Sequence, residues 1–206
     1  MPGIPIAYIE GSYRGHKVSP GEYALILTMG DKTRETMVEV MANPLIPTTK
    51  KQYAQYDQAM SEMEQNLTDM HRTTNRLFKV KTQLEKLLKT ILKEEDDKPL
   101  SKLKEQGKEL VEKLKSWDEE MVQRKSKAYD DVENFPNKFT AEYLMLINQT
   151  ESDIPRVTQG SIDRRAELDS RWNKLKEQAK EMMDSDLPKF NKQLWARKIG
   201  AIWAGE

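Results

Sequence analysis

Residues 53–91 read YAQYDQAMSEMEQNLTDMHRTTNRLFKVKTQLEKLLKTI. Alternating steps of three and four from Tyr53 land on Tyr56, Met60, Met63, Leu67, Met70, Thr74, Leu77, Lys81, Leu84, Leu88 and Ile91. Thr74 and Lys81 alone break the apolar series, so the stretch is predicted to be a helix with a heptad-like seam. No proline lies between Pro47 and Pro99 and no glycine between Gly30 and Gly107, which leaves the window free of helix breakers. A helix over residues 49–94 would be roughly 65 to 70 Å long at 1.5 Å per residue, too long to stand without another helix or a partner against its seam. Lys50 and Lys51 at its start and Glu94 to Asp97 at its end oppose the helix dipole, so packing has to override that mismatch.

The pattern then repeats. Residues 99–131 carry Leu100, Leu103, Gly107, Leu110, Leu114, Trp117, Met121, Arg124 and Ala128 on one stripe. The short connection makes this second helix an antiparallel neighbour of the first. Gly107 costs about 1 kcal/mol relative to alanine in a helix interior. It is either the site of a close helix crossing or a tolerated glycine.

Asn134-Phe-Pro-Asn-Lys138 breaks the helical pattern, and Thr140 is a candidate cap for a short helix over 141–149 with Tyr143, Leu144, Leu146 and Ile147 facing a core. A last long helix over 158–185 places Ile162, Leu168, Trp172, Leu175, Ala179 and Met182 at helical spacing. Ser185-Asp-Leu-Pro188 kinks or restarts it. Beyond lie Phe190, Leu194, Trp195, Ile199 and Trp203, the last part either docked or offered as an apolar patch.

The first 47 residues differ in kind. Residues 4–10, 22–29 and 34–41 read as strands, with Gly30-Asp-Lys32 as a hairpin connection. Tyr-Ala-Leu-Ile-Leu in the middle strand is apolar at consecutive positions, the pattern of a strand covered on both faces. Either the helices cover one side, or the remaining strands of a β-sandwich lie elsewhere.

The chain of 206 residues has 34 Lys plus Arg against 34 Asp plus Glu, 33% charged residues, 37% hydrophobic residues and a mean hydropathy of -0.82. Long helices that bury one stripe fit these values. A formal charge of zero gives no global field for nucleic acid or an anionic membrane. No run of 18 apolar residues spans a bilayer, and MPGIPIAYIEG lacks the pattern of a secretory signal. The absence of cysteine excludes disulfides, thiolate metal sites and cysteine nucleophiles.

No constellation amounts to a catalytic site. Glu94 to Asp97 are consecutive carboxylates of one connection, whereas acid and base catalysis needs two carboxyls converging from different elements. His16 sits in a loop, and His71 reads as an exposed or flanking helix position; neither has a metal-ligand partner at helical spacing. Asn66-Leu-Thr and Asn148-Gln-Thr match the glycosylation pattern but fall in predicted helices. Lys79, Lys81, Lys86, Lys89 and Lys93, with Arg164-Arg165, read as solvated faces. No glycine-rich phosphate loop is present, so no cofactor or metal is expected.

His16-Lys-Val-Ser-Pro-Gly-Glu-Tyr-Ala-Leu-Ile-Leu27, then Gly30, Val38-Glu-Val40 and Asn43-Pro44, resemble a PGTYTVRLTVDGK passage followed by PLTVKxDP. Such a passage occurs in the C-terminal region of bacterial secreted proteins with sortilin-like or BNR-type β-propeller repeats, often labelled glycosyl hydrolases. Tyr53-Ala-Gln-Tyr-Asp57, Thr73-Thr-Asn-Arg76 and Asp186-Leu-Pro-Lys-Phe-Asn-Lys-Gln-Leu-Trp195 extend the resemblance over nearly the whole chain. The resemblance implies that the hairpin closes a β-sandwich preceded by a propeller, with Met1 a domain boundary or the start of the expressed piece. It also implies a secreted, periplasmic or envelope location. It carries no catalytic residue onto this chain.

The expectation is therefore a mainly α chain: an elongated antiparallel bundle of three long and two short helices (48–206) behind a small antiparallel β-hairpin or sheet (1–47). Tyr23, Leu25 and Leu27 in the strand, and Leu67, Leu110, Trp117, Trp172 and Leu175 in the bundle, are its expected structural core. The expected function is a non-catalytic structural and protein-interaction module. Its partners would be the propeller and sandwich domains of the same polypeptide, another protein, or a second copy, without nucleic-acid binding or membrane insertion. The alternatives are an accessory part of a glycan-acting hydrolase and a coiled-coil adaptor or holdase.

Overall fold

The computed structural model describes residues 15–91, 98–128 and 130–203. Two antiparallel strands, β1 (Gly21–Met29) and β2 (Lys32–Val40), precede six helices: α1 (Lys50–Ile91), α2 (Lys98–Met121), α3 (Asp131–Asn134), α4 (Phe139–Ser152), α5 (Gln159–Glu181) and α6 (Leu187–Ala196). A π-helical turn, Met182–Asp186, joins α5 to α6. The chain is mainly α with an N-terminal hairpin, as its periodicity predicts. The expected strand over 4–10 and the carboxylates Glu94 to Asp97 lie outside the described residues.

Thr49 starts α1 with a reciprocal cap. Its hydroxyl accepts from the Gln52 amide (3.3 Å) while the Gln52 side chain accepts from the Thr49 amide (2.9 Å). This capping box satisfies orphan donors at a helix end that has no acidic residue in its first turn. The helix then runs for 42 residues, about 63 Å. Tyr56, Met60, Met63, Leu67, Met70, Thr74, Leu77, Leu84 and Leu88 are all buried, so the seam is the core-facing stripe.

Two positions depart from the expected stripe. Val80 is buried and Lys81 is only half-buried, so between Leu77 and Leu84 the stripe steps three and then four residues instead of four and then three. Lys81 instead pairs with Glu85 at 3.1 Å. His71 is buried rather than exposed, since α1 packs against α2, α4 and α5 and its covered arc is wider than one seam.

α2 covers α1 through Leu103, Leu110, Leu114, Trp117 and Met121. Gly107 is the close approach: a Cβ built there would lie 2.7 Å from Leu88 Cδ2 and 3.1 Å from Phe190 Cζ. The helix ends at Met121 and not near residue 131. Arg124 turns back onto the buried Asp118 in a two-pronged pair (2.5 and 2.6 Å) and stacks its guanidinium 3.9 Å from the centre of the Phe78 ring. Thr140 does not cap α4, whose N-cap is Lys138; its hydroxyl donates to the Met121 carbonyl at 2.9 Å and closes the end of α2.

Trp117 and Trp172 anchor the second layer. Trp117 Nε1 donates to the Leu175 carbonyl of α5 at 2.8 Å, and Trp172 stacks on Phe139 with ring centres 6.5 Å apart. Leu67, Leu110, Trp117, Trp172 and Leu175 are all buried.

Past α5, the missing N–H of Pro188 removes one α-helical hydrogen bond and its ring crowds the preceding turn. The chain widens into the π turn and continues as α6 without breaking. The C-terminal segment docks through two amide side chains: Asn191 bonds both the N–H and C=O of Ile202 (2.8 and 2.9 Å), and Gln83 those of Trp203 (3.2 and 3.0 Å). Ile202 is buried by this docking, whereas Trp195 and Trp203 remain exposed.

Trp172→Ala should lower stability by about 3 to 5 kcal/mol in a urea melt. Trp172→Phe should cost less, because the indole N–H it removes has no hydrogen-bond partner among the described residues. Gly107→Ala should also destabilise: overpacking against Leu88 and Phe190 costs about 1 to 3 kcal/mol, against roughly 1 kcal/mol gained in helix propensity.

Candidate interaction site

The hairpin carries a run of uncovered apolar residues: Leu25, Ile26, Leu27, Met29 and Met37 are all exposed. β1 and β2 pair from Gly21 with Val40 to Met29 with Lys32. Gly30 takes φ 62° and Asp31 does not have a positive φ, the combination of a two-residue II′ turn. Lys32 therefore opens β2 and is not part of the loop. Tyr23, Leu25, Leu27 and Met29 share one face with Val38 and Val40; Glu22, Ala24, Ile26 and Thr28 share the other with Glu39, Met37, Glu35 and Thr33.

Leu25 and Leu27 are not core residues in this structure: they are 56% and 67% exposed, and Met29 is 73% exposed. Tyr23 and Val38, at the base, are half-buried. The physical reason is distance from the helices. The hairpin leans on the bundle only at its root, and its outer two-thirds project with both faces uncovered among the described residues.

That root is fixed by a polar cluster on α1. The His16 backbone N–H and its Nδ1 both lie 2.8 Å from Glu64 Oε1, and its Nε2 lies 3.9 Å from Asp57 Oδ1. The buried Ser19 donates its hydroxyl to the same Asp57 oxygen at 2.5 Å, and its carbonyl accepts from Tyr23 Oη at 2.7 Å. The Lys17 amide donates to Glu151 at 2.8 Å, which brings in α4. The His16 ring meets the Tyr56 ring edge-on at 5.8 Å. Burial, followed by the nearby Glu151, Asp57 and Glu64 charges, pushes the Tyr56 hydroxyl well above the usual tyrosine range.

This cluster joins the His16–Leu27 and Tyr53–Asp57 segments, which the sequence presents as separate motifs. His16 is thus an anchor residue and not a free loop histidine. The signal that would have exposed it is the pair of carboxylates, Asp57 and Glu64, placed two turns apart on the same side of a helix.

A second polar network lies deeper. Asn66 Nδ2 donates to Tyr143 Oη (3.1 Å) and Asp169 Oδ1 (2.9 Å), and Tyr143 donates to the same Asp169 oxygen at 2.7 Å. Arg165 bridges Asp169 and Glu62. The network ties α1, α4 and α5 together and engages the amide nitrogen that glycosylation of Asn66 would need. Burial, and then hydrogen bonding to Asp169, pushes the Tyr143 hydroxyl above its ordinary range.

Other ion pairs lie on the helix surfaces, among them Lys176 with Asp69 and Arg171 with Glu120 and Glu142. A groove of about 740 Å³ between α2 and the π turn is lined by Glu109, Glu112, Glu120, Glu181, Asp186 and Trp117. In it Lys113 bonds Asp186 at 2.9 Å, which holds the lysine above its usual range. Among the described residues no group of three His, Asp or Glu side chains is placed to hold a metal ion, and no helix is long and apolar enough to cross a membrane.

Glu64→Ala should speed exchange of the His16 amide about tenfold or more, as expected for losing a charge-assisted hydrogen bond of roughly 1.5 to 3 kcal/mol, while α2 amides are unaffected. Tyr56 and Tyr143 are both held protonated by the fold, so the stability they contribute is fully present below about pH 10, where an unfolded tyrosine ionises. It is lost as pH rises toward the higher folded-state values, by about 1.4 kcal/mol per pH unit for each. Urea melts between about pH 9 and pH 11 should show that slope flattened in Tyr56→Phe/Tyr143→Phe relative to the parent.

No family profile, curated protein or solved structure matches the chain.

Proposed function

We propose that the chain is a non-catalytic structural and interaction module in which the bundle holds out a two-stranded hairpin for insertion into a neighbouring β-domain. The observation that carries this reading is the contrast within one short element: Leu25, Leu27 and Met29 are exposed on a strand whose root is pinned to α1 by half-buried polar contacts and to α4 by an exposed one. An isolated two-stranded hairpin is at best marginally stable in water. Exposed apolar surface on an anchored edge is the usual mark of an interface.

The sequence resemblance supplies the partner within this proposal. The hairpin would complete a β-sandwich in the same polypeptide, downstream of a β-propeller, in a secreted, periplasmic or envelope protein. The bundle contributes packing and a fixed orientation. No part of the reading requires chemistry from this chain.

The test begins with the reading frame. Upstream sequence encoding β-rich repeats is the expected result, and a stop codon in frame just before Met1 would contradict it. With the upstream β-domain expressed separately, calorimetric titration should give an association that Leu25→Thr/Leu27→Thr weakens at least tenfold. The same double variant should shift the helical melt by no more than about 0.5 kcal/mol, since both side chains are exposed. Undiminished binding by the variant would refute the proposed docking face.

A further inference from the structure

The two long edges of the hairpin are chemically unequal. In a hairpin closed by a two-residue turn, the pair flanking the turn exchanges both backbone hydrogen bonds, and such pairs then alternate with pairs that exchange none. Met29–Lys32 is that closing pair. It follows that Glu22, Ala24, Ile26 and Thr28 turn their N–H and C=O groups to the outer edge of β1, and Thr33, Glu35, Met37 and Glu39 turn theirs to the outer edge of β2.

The outer edge of β2 is blunted. The Arg34 guanidinium donates to the Thr33 carbonyl at 3.3 Å, occupying one of the outward acceptors. Glu35 and Glu39 place two carboxylates along the same edge, a common means of discouraging strand addition. The outer edge of β1 has Glu22, Ala24, Ile26 and Thr28 in the corresponding places, one carboxylate against two. No hydrogen bond among the described residues reaches their outward backbone groups.

Charge singles out what fits there. Glu22 lies directly across from Glu39 on one face, and like charges in that arrangement destabilise a ladder. A cation on a strand added beside β1 would sit next to Glu22 and relieve this repulsion. On the opposite face, the exposed Leu25 and Leu27 call for apolar neighbours.

We propose that the outer edge of β1 is the strand-accepting edge of this protein, and that it takes an extended partner strand with apolar residues beside Leu25 and Leu27 and a lysine or arginine beside Glu22. The proposal rests on the reading of the hairpin as an insertion element and assigns the edge and the chemistry of the partner. Backbone pairing supplies the affinity and the alternating side chains supply the register.

The probe is a nine-residue peptide of alternating valine and threonine, with one lysine on the threonine side at the position beside Glu22. Its outer amides are N-methylated to prevent self-association. It is added in excess to the full chain, and amide exchange is read residue by residue by NMR. Exchange at Glu22, Ala24, Ile26 and Thr28 should slow at least tenfold, with Thr33, Glu35, Met37 and Glu39 unchanged.

Replacing the peptide lysine with glutamate should weaken binding at least tenfold, and Glu22→Lys should reverse that preference. Ile26→Pro should abolish the effect without opening the hairpin, because the N–H it removes faces outward. Met37→Pro, its counterpart on β2, should leave binding intact, and both variants are checked for an intact hairpin by cross-strand proton contacts.

Protection confined to the β2 amides would overturn the edge assignment and leave the insertion reading standing. No protection by either peptide would overturn both. Protection of the β1 amides before any peptide is added would put another occupant on that edge and overturn the proposal; dependence on protein concentration would identify it as a second copy.

Discussion

Burial of one stripe along α1 is the constraint on which the other elements depend. A 42-residue helix cannot close a core on itself, and its stripe of tyrosine, methionine and leucine from Tyr56 to Leu88 is covered in stages by different neighbours. The lead-in to the hairpin meets it at Asp57 and Glu64, α4 and α5 at Glu62, Asn66 and Asp69, and α2, with the C-terminal segment, at Gln83 and Leu88. Each fully buried leucine or methionine contributes roughly 1.5 to 3 kcal/mol. The polar contacts add less energy but fix which neighbour lies at which height.

The hairpin obeys a different balance. Its root shares the polar anchoring of the bundle, but its outer part has ladder hydrogen bonds and no apolar cover among the described residues. Such an element contributes little to the cooperative core and is held by the lead-in and by its own turn. The same division gives the module its proposed use: a rigid helical body sets the position of a ribbon whose side chains are satisfied only when another sheet meets it.

Much of this was legible in residue spacing, and the failures have identifiable causes. The stripe of α1 was readable even at Thr74, a polar residue that is fully buried, because its neighbours three and four residues away fixed its face. The shift from Lys81 to Val80 is a local reversal in the order of the three- and four-residue steps, with Leu77 and Leu84 still in register on either side. The burial of His71 is not legible in spacing, because a single seam does not reveal how many helices cover it. Leu25 and Leu27 are exposed where their spacing predicts a core, because an apolar strand shows that it needs cover without showing whether that cover is in the same chain. The end of α2 depended on Arg124 folding back onto Asp118, which spacing alone does not encode. The anchor of the hairpin joins residues 48 and 134 positions apart, so no local pattern contains it.

The most direct measurement of this account is a native-state hydrogen-exchange profile of the whole chain across a denaturant series. The account predicts that amides of α1 between residues 60 and 88 exchange only through global unfolding, whereas the amides pairing β1 with β2 open at far lower free energy, with the His16 and Lys17 amides in between. Hairpin amides as protected as those of α1 would show that the ribbon belongs to the cooperative core, and would contradict its role as an uncovered element awaiting a partner sheet.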